Sequence, residues 1–399
     1  MTSIINRLGS ANMYDRTVTN LSERQSKLAN LMESTSAGKR VLRASDDPVA
    51  AAQAERARTR ISRTETDQRA LDAQVASIAE AESKLGAANE ALQSFRELLV
   101  NAGNGTYSQT ERDALAAQMI SLRDQIAGYA NSTDSNGLAL FRGLGSAEKP
   151  LQGSSFLGQS GQVSSGDNSI AYTLDGVAAF MNVPTGNGVL AVNVGAGNTG
   201  KVWSDLGQIT DPAAAAAVAA PITVSFAVDA QGATSYSIDG GAAQAYVPGQ
   251  AINVAGMKLT VNGTPANGDT LGIAPSESSD LFSVLDRAID AVRTAGNSDG
   301  TTASGALAHG LAKALGEVDT GMNRMQAVRG FAGDLLNRAD TITDSLSARA
   351  VQLEASRSAA EDIDMIEALT ELTTQQNGYS AALQSYAQIQ KLSLFNYIG

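Results

Sequence analysis

Apolar residues recur every three or four positions at both ends of the chain, with polar residues between them. The N-terminal repeat runs from Ile4 to Met32 and stops before Gly38, and the C-terminal repeat runs from Leu369 to Leu392. A stripe this narrow is typical of a helix that packs in a coiled coil, whereas helices of globular domains usually show a wider one. The pattern predicts one long coiled-coil helix at each end of the chain.

Further helices are predicted inside these two. Ser45 is a candidate N-cap, and Asp46, Asp47 and Pro48 suit the first turn of a long helix that Asn104–Gly105 ends. Apolar residues at helical spacing mark this helix and three later segments: Ile78, Ala81, Leu85, Ala88, Leu92, Phe95 and Leu99; Leu115, Met119, Leu122, Ile126 and Tyr129; Leu281, Leu285, Ile289 and Val292; and a long run from Leu307 to Leu353.

The middle of the chain has a different pattern. Residues 222–228 and 257–261 alternate apolar and polar side chains, and turn pairs such as Asp239–Gly240 and Asn262–Gly263 punctuate the region. Alternation of this kind predicts short β-strands. Residues 186–220 have low complexity and give no pattern from which elements can be placed.

These patterns predict a mainly α fold: a long helical bundle with paired N- and C-terminal coiled-coil helices and an inserted β domain. The expected organisation is an N-terminal assembly helix (1–44), a helical rod in two parts (45–145 and 280–360), an outer β-rich domain (146–279) and a C-terminal assembly helix (361–399). Stripes that are strongest at the chain ends favour self-assembly, because terminal segments usually fray unless they are docked.

Composition excludes several classes of function. The formal net charge is −12 and no basic stripe offsets it, which argues against nucleic-acid and anionic-membrane partners. The chain has no cysteine and one histidine, so thiolate metal sites and cysteine nucleophiles are absent. The first residues lack a cleavable signal pattern, and no apolar stretch approaches the ~20 residues of a membrane-spanning helix.

One segment matches a nucleotide-binding motif. Gly195–Lys201 has the spacing of a phosphate-binding loop and follows an apolar run that ends at Val194. The motif next requires a Ser or Thr hydroxyl for magnesium, and this chain has Val202 there. A glycine-rich loop between strands is the preferred interpretation, and a nucleotide-binding enzyme is the remote alternative.

Two other polar features have simple structural explanations. His309 has no nucleophile or ligand motif around it, so we expect a partly exposed helical histidine. Asp46 and Asp47 lie where acids interact favourably with a helix N-terminus, which we prefer to a metal site. The sequence predicts no enzyme, no cofactor and no bound metal.

The predicted assembly interface comprises the terminal stripes and one polar pair. Arg96 and Glu97 are expected to contact a neighbouring subunit, with an ion pair inside the chain as the alternative. The apolar members are Leu8, Val18, Leu21 and Leu28 at the N-terminal end and Leu369, Leu372, Tyr379, Leu383 and Tyr386 at the C-terminal end.

Several motifs resemble one family. Ser36–Val41, with Ser45–Ala51 after it, is similar to the N-terminal signature of bacterial flagellins and flagellar hook-associated proteins. Ala102–Thr106 and Ala130–Gly137 resemble loops of the same family, and Glu361–Phe395 resembles its C-terminal helix. The resemblance covers roughly the first 145 and the last 120 residues, and the helical periods agree with it.

Within this family, Lys39–Val41, Pro48 and Gly137–Gly143 resemble the members that join the hook to the filament. Leu92–Val100 is close to a flagellin segment, whereas the ending Asn396–Gly399 departs from flagellin, so a filament-forming flagellin is the alternative. The resemblance implies a secreted structural protein at the hook–filament junction, exported by the flagellar type III apparatus. The implied partners are hook-associated protein 1, flagellin, an export chaperone and further copies in a ring.

Overall fold

The computed structural model describes residues 2–104, 107–153, 155–162, 166–294 and 305–398, with side chains described from residue 15 to residue 388. The predicted mainly α fold with a β-rich middle is confirmed. The helices are α1 (Thr2–Ala37), α2 (Pro48–Ala102), α3 (Gln109–Ala130), α4 (Gly176–Phe180), α5 (Pro212–Ala216), α6 (Leu281–Thr294), α7 (Gly305–Glu361) and α8 (Met365–Ile398).

The chain divides into two compact units. The terminal unit comprises residues 1–69 and 343–399, and the central unit comprises residues 70–342. Helices α2 and α7 contribute residues to both units.

The terminal unit is built from α1, α8 and the adjoining parts of α2 and α7. Ala50, Ala54 and Ala57 form the buried face of α2 in this unit, and Leu346 and Leu353 are buried on α7. Alanine on a buried helix face permits close packing, since its side chain is small and loses no rotamer freedom.

In the central unit, α2 buries the apolar stripe that the sequence predicts. Ile78, Leu85, Leu92, Phe95 and Leu99 are completely buried. The stripe therefore closes a core within the chain and is not free to contact another copy.

Helices α3 and α6 lie against each other in the same unit. A reciprocal capping box between Ser108 and Glu111 begins α3. Arg123 on α3 forms an ion pair with Asp286 on α6 at 3.0 Å. The four predicted apolar positions of α6 are all buried: Leu281, Leu285, Ile289 and Val292.

The β region consists of short antiparallel strands. A five-stranded sheet has the order β4-β12-β7-β8-β9, and a second sheet has the order β10-β11-β5 with β6 also paired to β11. The strands are β1 (Leu151–Gln152), β2 (Ser155–Phe156), β3 (Val183–Pro184), β4 (Leu190–Val194), β5 (Trp203–Ser204), β6 (Gln208–Ile209), β7 (Ile222–Val228), β8 (Thr234–Ile238), β9 (Gln244–Ala245), β10 (Ala251–Val254), β11 (Met257–Asn262), β12 (Thr270–Pro275) and β13 (Ser278–Ser279).

Aromatic residues connect the β region to the helices of the central unit. The ring of Phe180 lies 5.4 Å from that of Phe141 and 6.1 Å from that of Phe282, the second residue of α6. All three side chains are buried. Residues on both sides of the predicted boundaries at 145 and 279 therefore share one aromatic cluster.

Candidate assembly interface

Helices α1 and α8 pack against each other in the terminal unit. Leu21 and Leu28 of α1 and Leu372, Tyr379 and Tyr386 of α8 are half-buried. They recur at the spacing of a coiled-coil seam, as the sequence predicts. These predicted interface residues therefore lie on the buried sides of the two paired helices.

Other apolar residues of the same helices remain open to solvent. Val18 is 41% exposed, Leu369 is 49% exposed and Leu383 is 40% exposed. Met32 and Ile366 are exposed as well, at 51% and 82%. The side chain of Leu8 lies outside the described residues. The terminal helices thus carry apolar residues that their pairing within one chain does not cover.

A glycine of α8 leaves room for a long side chain of α1. A Cβ on Gly378 of α8 would lie 2.8 Å from a guanidinium nitrogen of Arg24. Arg24 also lines a polar groove of about 550 Å³ between the helices, together with Glu23, Lys27 and Gln375. Absence of a side chain at Gly378 lets Arg24 lie across α8.

The loop between α1 and α2 is held by hydrogen bonds of its own. Gly38 has φ of +69° and follows the last residue of α1. The amides of Gly38 and Lys39 donate to the carbonyls of Thr35 and Ser34, which is a glycine-based helix end. The predicted end of the helix at Gly38 is confirmed.

The predicted N-cap of α2 is wrong by two residues. Asp47, and not Ser45, accepts the amides of Val49 and Ala50 through Oδ1, at 3.1 and 2.9 Å. The pKa of Asp47 is lowered, most strongly by the hydrogen bond from the amide of Ala50 and also by the hydrogen bond from the Arg40 guanidinium. Asp46 instead accepts the amides of Leu42 and Arg43 inside the loop. The predicted interaction with the helix N-terminus therefore holds for Asp47, whereas Asp46 orders amides of the loop instead.

This loop is joined to the turn between α7 and α8. The amide of Arg40 donates to the carbonyl of Glu361 at 2.8 Å, and the amide of Ile363 donates to the carbonyl of Gly38 at 3.1 Å. A guanidinium nitrogen of Arg40 also donates to the carbonyl of Ala360 at 2.9 Å. The two motifs that resemble the flagellin family, far apart in sequence, therefore meet; we call this contact the joint.

The side chain of Glu361 lies at the centre of the joint. Glu361 is only 4% exposed. Its carboxylate accepts from Lys39, from Arg58 at 2.5 Å to each oxygen, and from Arg357 at 3.4 Å. Arg357 is shared with Glu354 and Asp362. Three cations from α7, α2 and the α1–α2 loop thus converge on one buried carboxylate.

The charges at the joint keep Glu361 ionised. Burial by itself raises the pKa of this carboxyl, but the hydrogen bond from Lys39 and the positive charges of Arg58 and Arg357 outweigh burial and lower the pKa. The hydrogen bonds that Arg357 donates to Glu354 and Asp362 raise the pKa of its guanidinium. An ionised carboxylate among three cations fixes the loop and the turn against each other.

One member of the polar pair predicted on α2 is engaged inside the chain. Arg96 forms an ion pair with Asp319 of α7 at 2.6 Å, inside the chain, whereas Glu97 is exposed. The hydrogen bond and charge of Asp319 raise the pKa of Arg96. The alternative that the sequence left open, an ion pair within the chain, therefore holds for Arg96.

We expect Arg96→Ala to change stability little. Both members of the Arg96–Asp319 pair are about half exposed, so loss of the pair should cost at most about 1 kcal/mol. Chemical denaturation of the Asp319→Ala variant should give the same small shift, and the double variant should add almost nothing further. A loss of several kcal/mol from either single variant would contradict this.

The segment with phosphate-loop spacing binds a carboxylate of its own chain. Asp269, which is 1% exposed, accepts the amides of Thr199 and Gly200 through Oδ1 at 2.9 and 3.3 Å. Its Oδ2 also accepts the amide of Gly200 at 3.1 Å. The segment follows β4 and continues as a loop without entering a helix. These amides hold an internal anion, so the segment is the glycine-rich loop that was preferred to a nucleotide site.

The prediction of a partly exposed His309 is wrong. His309 is 6% exposed, and its Nε2 donates to the carbonyl of Val192 at 2.9 Å. Its Nδ1 lies 3.2 Å from the carbonyl oxygen of Ser204 and 3.4 Å from the hydroxyl of the same residue. Burial lowers the pKa of His309. The histidine connects α7 to strands β4 and β5 from inside the central unit.

His309 should make the central unit sensitive to acid. Because its folded pKa is below 6.5, the unfolded chain takes up the proton first, so this stabilisation is present above about pH 6.5 and lost as pH falls. The expected slope from this residue is at most about 1.4 kcal/mol per pH unit. Denaturation of His309→Gln between pH 7.5 and pH 5.5, compared with the parent chain, measures it; equal slopes would contradict the assignment.

A basic face on α2 is a feature that the total charge conceals. Arg56, Arg60 and Arg63 are all exposed and recur at helical spacing. With Ala52, Thr59 and one acid, Glu55, they line a groove of about 440 Å³. The expectation that the chain has no basic stripe is therefore wrong for this part of α2. The spacing of the arginines in the sequence was the signal from which the stripe could have been predicted.

The described residues include no group of three or more His, Asp or Glu side chains arranged to hold a metal ion. Within the described part of the chain, no helix combines the length and apolar character needed to span a bilayer.

Two regions of the chain match models of one protein family. The model of the bacterial flagellin N-terminal helical region matches residues 6–146, and that of the C-terminal helical region matches residues 315–398. Together the two matches cover more than half of the chain and include both sides of the joint.

The flagellar hook-associated protein 3 of Escherichia coli (strain K12) is 26% identical over 400 residues, which cover 98% of each chain. The protein of the same name from Salmonella typhimurium is 34% identical over 153 residues, which cover 36% of this chain and 46% of that protein. The flagellin of Bacillus subtilis is 34% identical over 129 residues, 32% of this chain and 42% of that flagellin.

Solved structures give the same result. The flagellar junction protein FlgL from Legionella pneumophila superposes with a TM-score of 0.65 at 28% identity, covering 72% of this chain and 99% of that one. Xanthomonas campestris FlgL gives a TM-score of 0.66 at 25% identity, covering 76% of this chain and 99% of that one. Similarity to these structures extends over most of the chain.

Proposed function

Because this chain belongs to the bacterial flagellin family, we propose that it is the structural adaptor that joins the flagellar hook to the filament. The observation that carries this proposal is the full-length similarity to a hook-associated protein 3, together with the fold shared with flagellar junction proteins. The matches to flagellins cover only about a third of the chain. A filament-forming subunit is therefore the less supported alternative.

The proposed adaptor works by helix packing and not by catalysis. Its relatives are structural components of flagella. Val18, Leu369 and Leu383 are apolar positions left exposed by the pairing of α1 with α8. Covering such side chains with a neighbouring subunit removes apolar surface from water, which favours assembly. In this proposal, Leu8, Leu21, Leu28, Leu372, Tyr379 and Tyr386 belong to the same assembly region.

The joint has a supporting role in this proposal. It fixes the α1–α2 loop to the α7–α8 turn through Glu361 and its three cations. Because the loop and the turn lead directly into α1 and α8, the joint orients the helices that carry the exposed apolar residues. We assign it as a positioning element of the assembly region.

The proposed partners follow from the role of the relatives. The chain would bind hook-associated protein 1 on the hook side and flagellin on the filament side, as a ring of identical copies. Export through the flagellar apparatus, with the help of a chaperone, would deliver it to the tip of the hook. The predicted division at residues 44, 145, 279 and 360, with an outer β domain, is part of this proposal.

A deletion strain tests the adaptor function. Cells that lack this chain should assemble hooks without filaments, as seen by electron microscopy, and should release flagellin into the medium. Expression of the chain in trans should restore filaments. The chain should also be a minor component of sheared flagella, because a ring needs few copies; abundance equal to that of a filament subunit would favour the flagellin alternative.

A further inference from the structure

The basic face of α2 points away from the packing of its own chain. Arg56, Arg60 and Arg63 lie on one side of the helix, since four and three residues correspond to about one turn each. The buried residues Ala54 and Ala57 lie on the other side. All three arginines are exposed, and among the described residues none of them is in an ion pair. The guanidinium groups are available to a partner.

An acidic face lies at the start of α8. Asp364, Glu367 and Glu371 are exposed, and no Lys or Arg occurs between Arg357 and Lys391. Asp364 accepts the amides of Ile366 and Glu367 through Oδ1 alone. Glu367 and Glu371 form no ion pair with any described residue. The acids of this face thus interact with the N-terminus of their own helix, and no described Lys or Arg forms an ion pair with them.

The two faces match in spacing when one is reversed. The arginines are separated by four and then three residues, and the acids, counted backwards from Glu371, are also separated by four and then three. At a rise of about 1.5 Å per residue, the successive separations are about 6 and 4.5 Å on both helices. Antiparallel helices can therefore pair Arg56 with Glu371, Arg60 with Glu367 and Arg63 with Asp364.

We propose that the basic face of α2 in one copy of this chain binds the acidic face of α8 in the next copy. Both faces belong to the terminal unit and both are exposed there, so their charges remain unpaired until a second copy arrives. Charged groups of this kind contribute mainly specificity and register.

This contact joins different surfaces on the two copies, so it is head-to-tail. A linear row of subunits joined in this way has a free basic face at one end and a free acidic face at the other. The row therefore either closes into a ring or continues as a helical array. The inference rests on the proposed function, which requires several identical subunits at the hook–filament junction. It adds the residues that set the order and register of those subunits.

Charge reversal and charge exchange test the pairing. R56E with R60E should place four acids opposite one another, and E367R with E371R should place four arginines opposite one another. Each double variant, expressed in the deletion strain, should weaken subunit association by about tenfold or more, equivalent to about 1.4 kcal/mol, and reduce the number of filaments per cell. The variant with all four changes should restore both.

Two results would overturn the pairing. The reversed variants could assemble as well as the parent chain, or the fourfold variant could assemble no better than either double variant. Thermal unfolding of each purified variant should match that of the parent, because all four residues are exposed. This control separates loss of assembly from loss of folding.

Cross-linking identifies the occupant directly, because the chain has no cysteine of its own. R60C with E367C should give dimers and higher multiples of this chain when isolated flagella are treated with a short bismaleimide. R60C with T373C is the matched control, since Thr373 is exposed on a different side of α8 and should link much less. A link to flagellin or another flagellar protein would overturn assignment of the partner as a second copy.

The test distinguishes failure of this inference from failure of the proposed function. If the parent chain restores filaments but charge exchange has no effect, the adaptor function stands and the pairing is wrong. If the deletion strain builds normal filaments without the chain, the adaptor function is wrong. Cross-linking of concentrated purified protein would then still test whether the copies pair through these two faces.

Discussion

Leu383→Asp should abolish incorporation of the chain into flagella while leaving the central unit intact. Leu383 is 40% exposed on α8 and lies in the terminal unit. In the free chain the new carboxylate would remain hydrated, whereas burial in an assembly would leave it unpaired at a cost of several kcal/mol. The lost burial of leucine adds about 1.5–3 kcal/mol.

Electron microscopy and immunoblotting of sheared flagella measure this effect. Gln384→Asp is a matched control, because it introduces the same charge at the next position, which is exposed and polar. Loss of assembly with both variants would show that charge anywhere on this part of α8 is excluded, and would contradict a specific apolar role for Leu383. Normal incorporation of Leu383→Asp would contradict the interface itself.

Hydrogen exchange should report the same interface without mutation. Most of the described side chains of α1 and α8 are exposed, whereas the stripe of α2 from Ile78 to Leu99 is buried. Helices with few buried contacts open locally at low free-energy cost. We expect amides of residues 15–30 and 370–388 to exchange faster than those of residues 78–99 in the isolated chain, and to slow strongly in assembled flagella.

Glu361→Gln should have the largest effect on stability within the terminal unit. The change leaves Lys39, Arg58 and Arg357 around a neutral group at the joint. We expect a loss of about 2–3 kcal/mol, below the cost for a fully buried pair, because Lys39 and Arg58 retain access to water. Exchange of the amides of Arg40 and Ile363, which bridge the joint, is the local measurement.

Glu354→Gln is the matched control for this prediction. Glu354 also pairs with Arg357, but its side chain is 56% exposed, so its loss should cost at most about 1 kcal/mol. Equal effects of the two substitutions would contradict the central role of Glu361.

The joint should also open in acid. The folded pKa of Glu361 lies below the ordinary value of 4.5, so its stabilisation is complete above about pH 4.5 and is lost as pH falls through the lower folded value. Protection of the Arg40 and Ile363 amides should decrease over this range in the parent chain. In Glu361→Gln the decrease should be smaller, because Asp362 and Glu354, whose pKa values are also lowered by hydrogen bonds, including those from Arg357, are the carboxyls that remain at the joint.

The helical part of this fold could be predicted from the sequence. The spacing of Leu281, Leu285, Ile289 and Val292 gave α6, and Gly38 gave the end of α1, because both depend on local geometry. The cap of α2 was misplaced since Ser45, Asp46 and Asp47 are all suitable caps, and loop conformation decides among them. Residues 186–220 contain β4, β5, β6 and α5, elements too short to produce a recognisable period.

The sequence alone located the long helices and the longer alternating strands, and it showed that both chain ends carry narrow apolar stripes. The tertiary structure was needed to show which distant groups meet. Arg58 and Glu361, 303 residues apart, form one cluster, and Asp269 fills the loop at Thr199 and Gly200. The periods of helices and strands are local properties of the backbone, repeated every few residues, whereas the partner of a buried charge depends on the path of the whole chain.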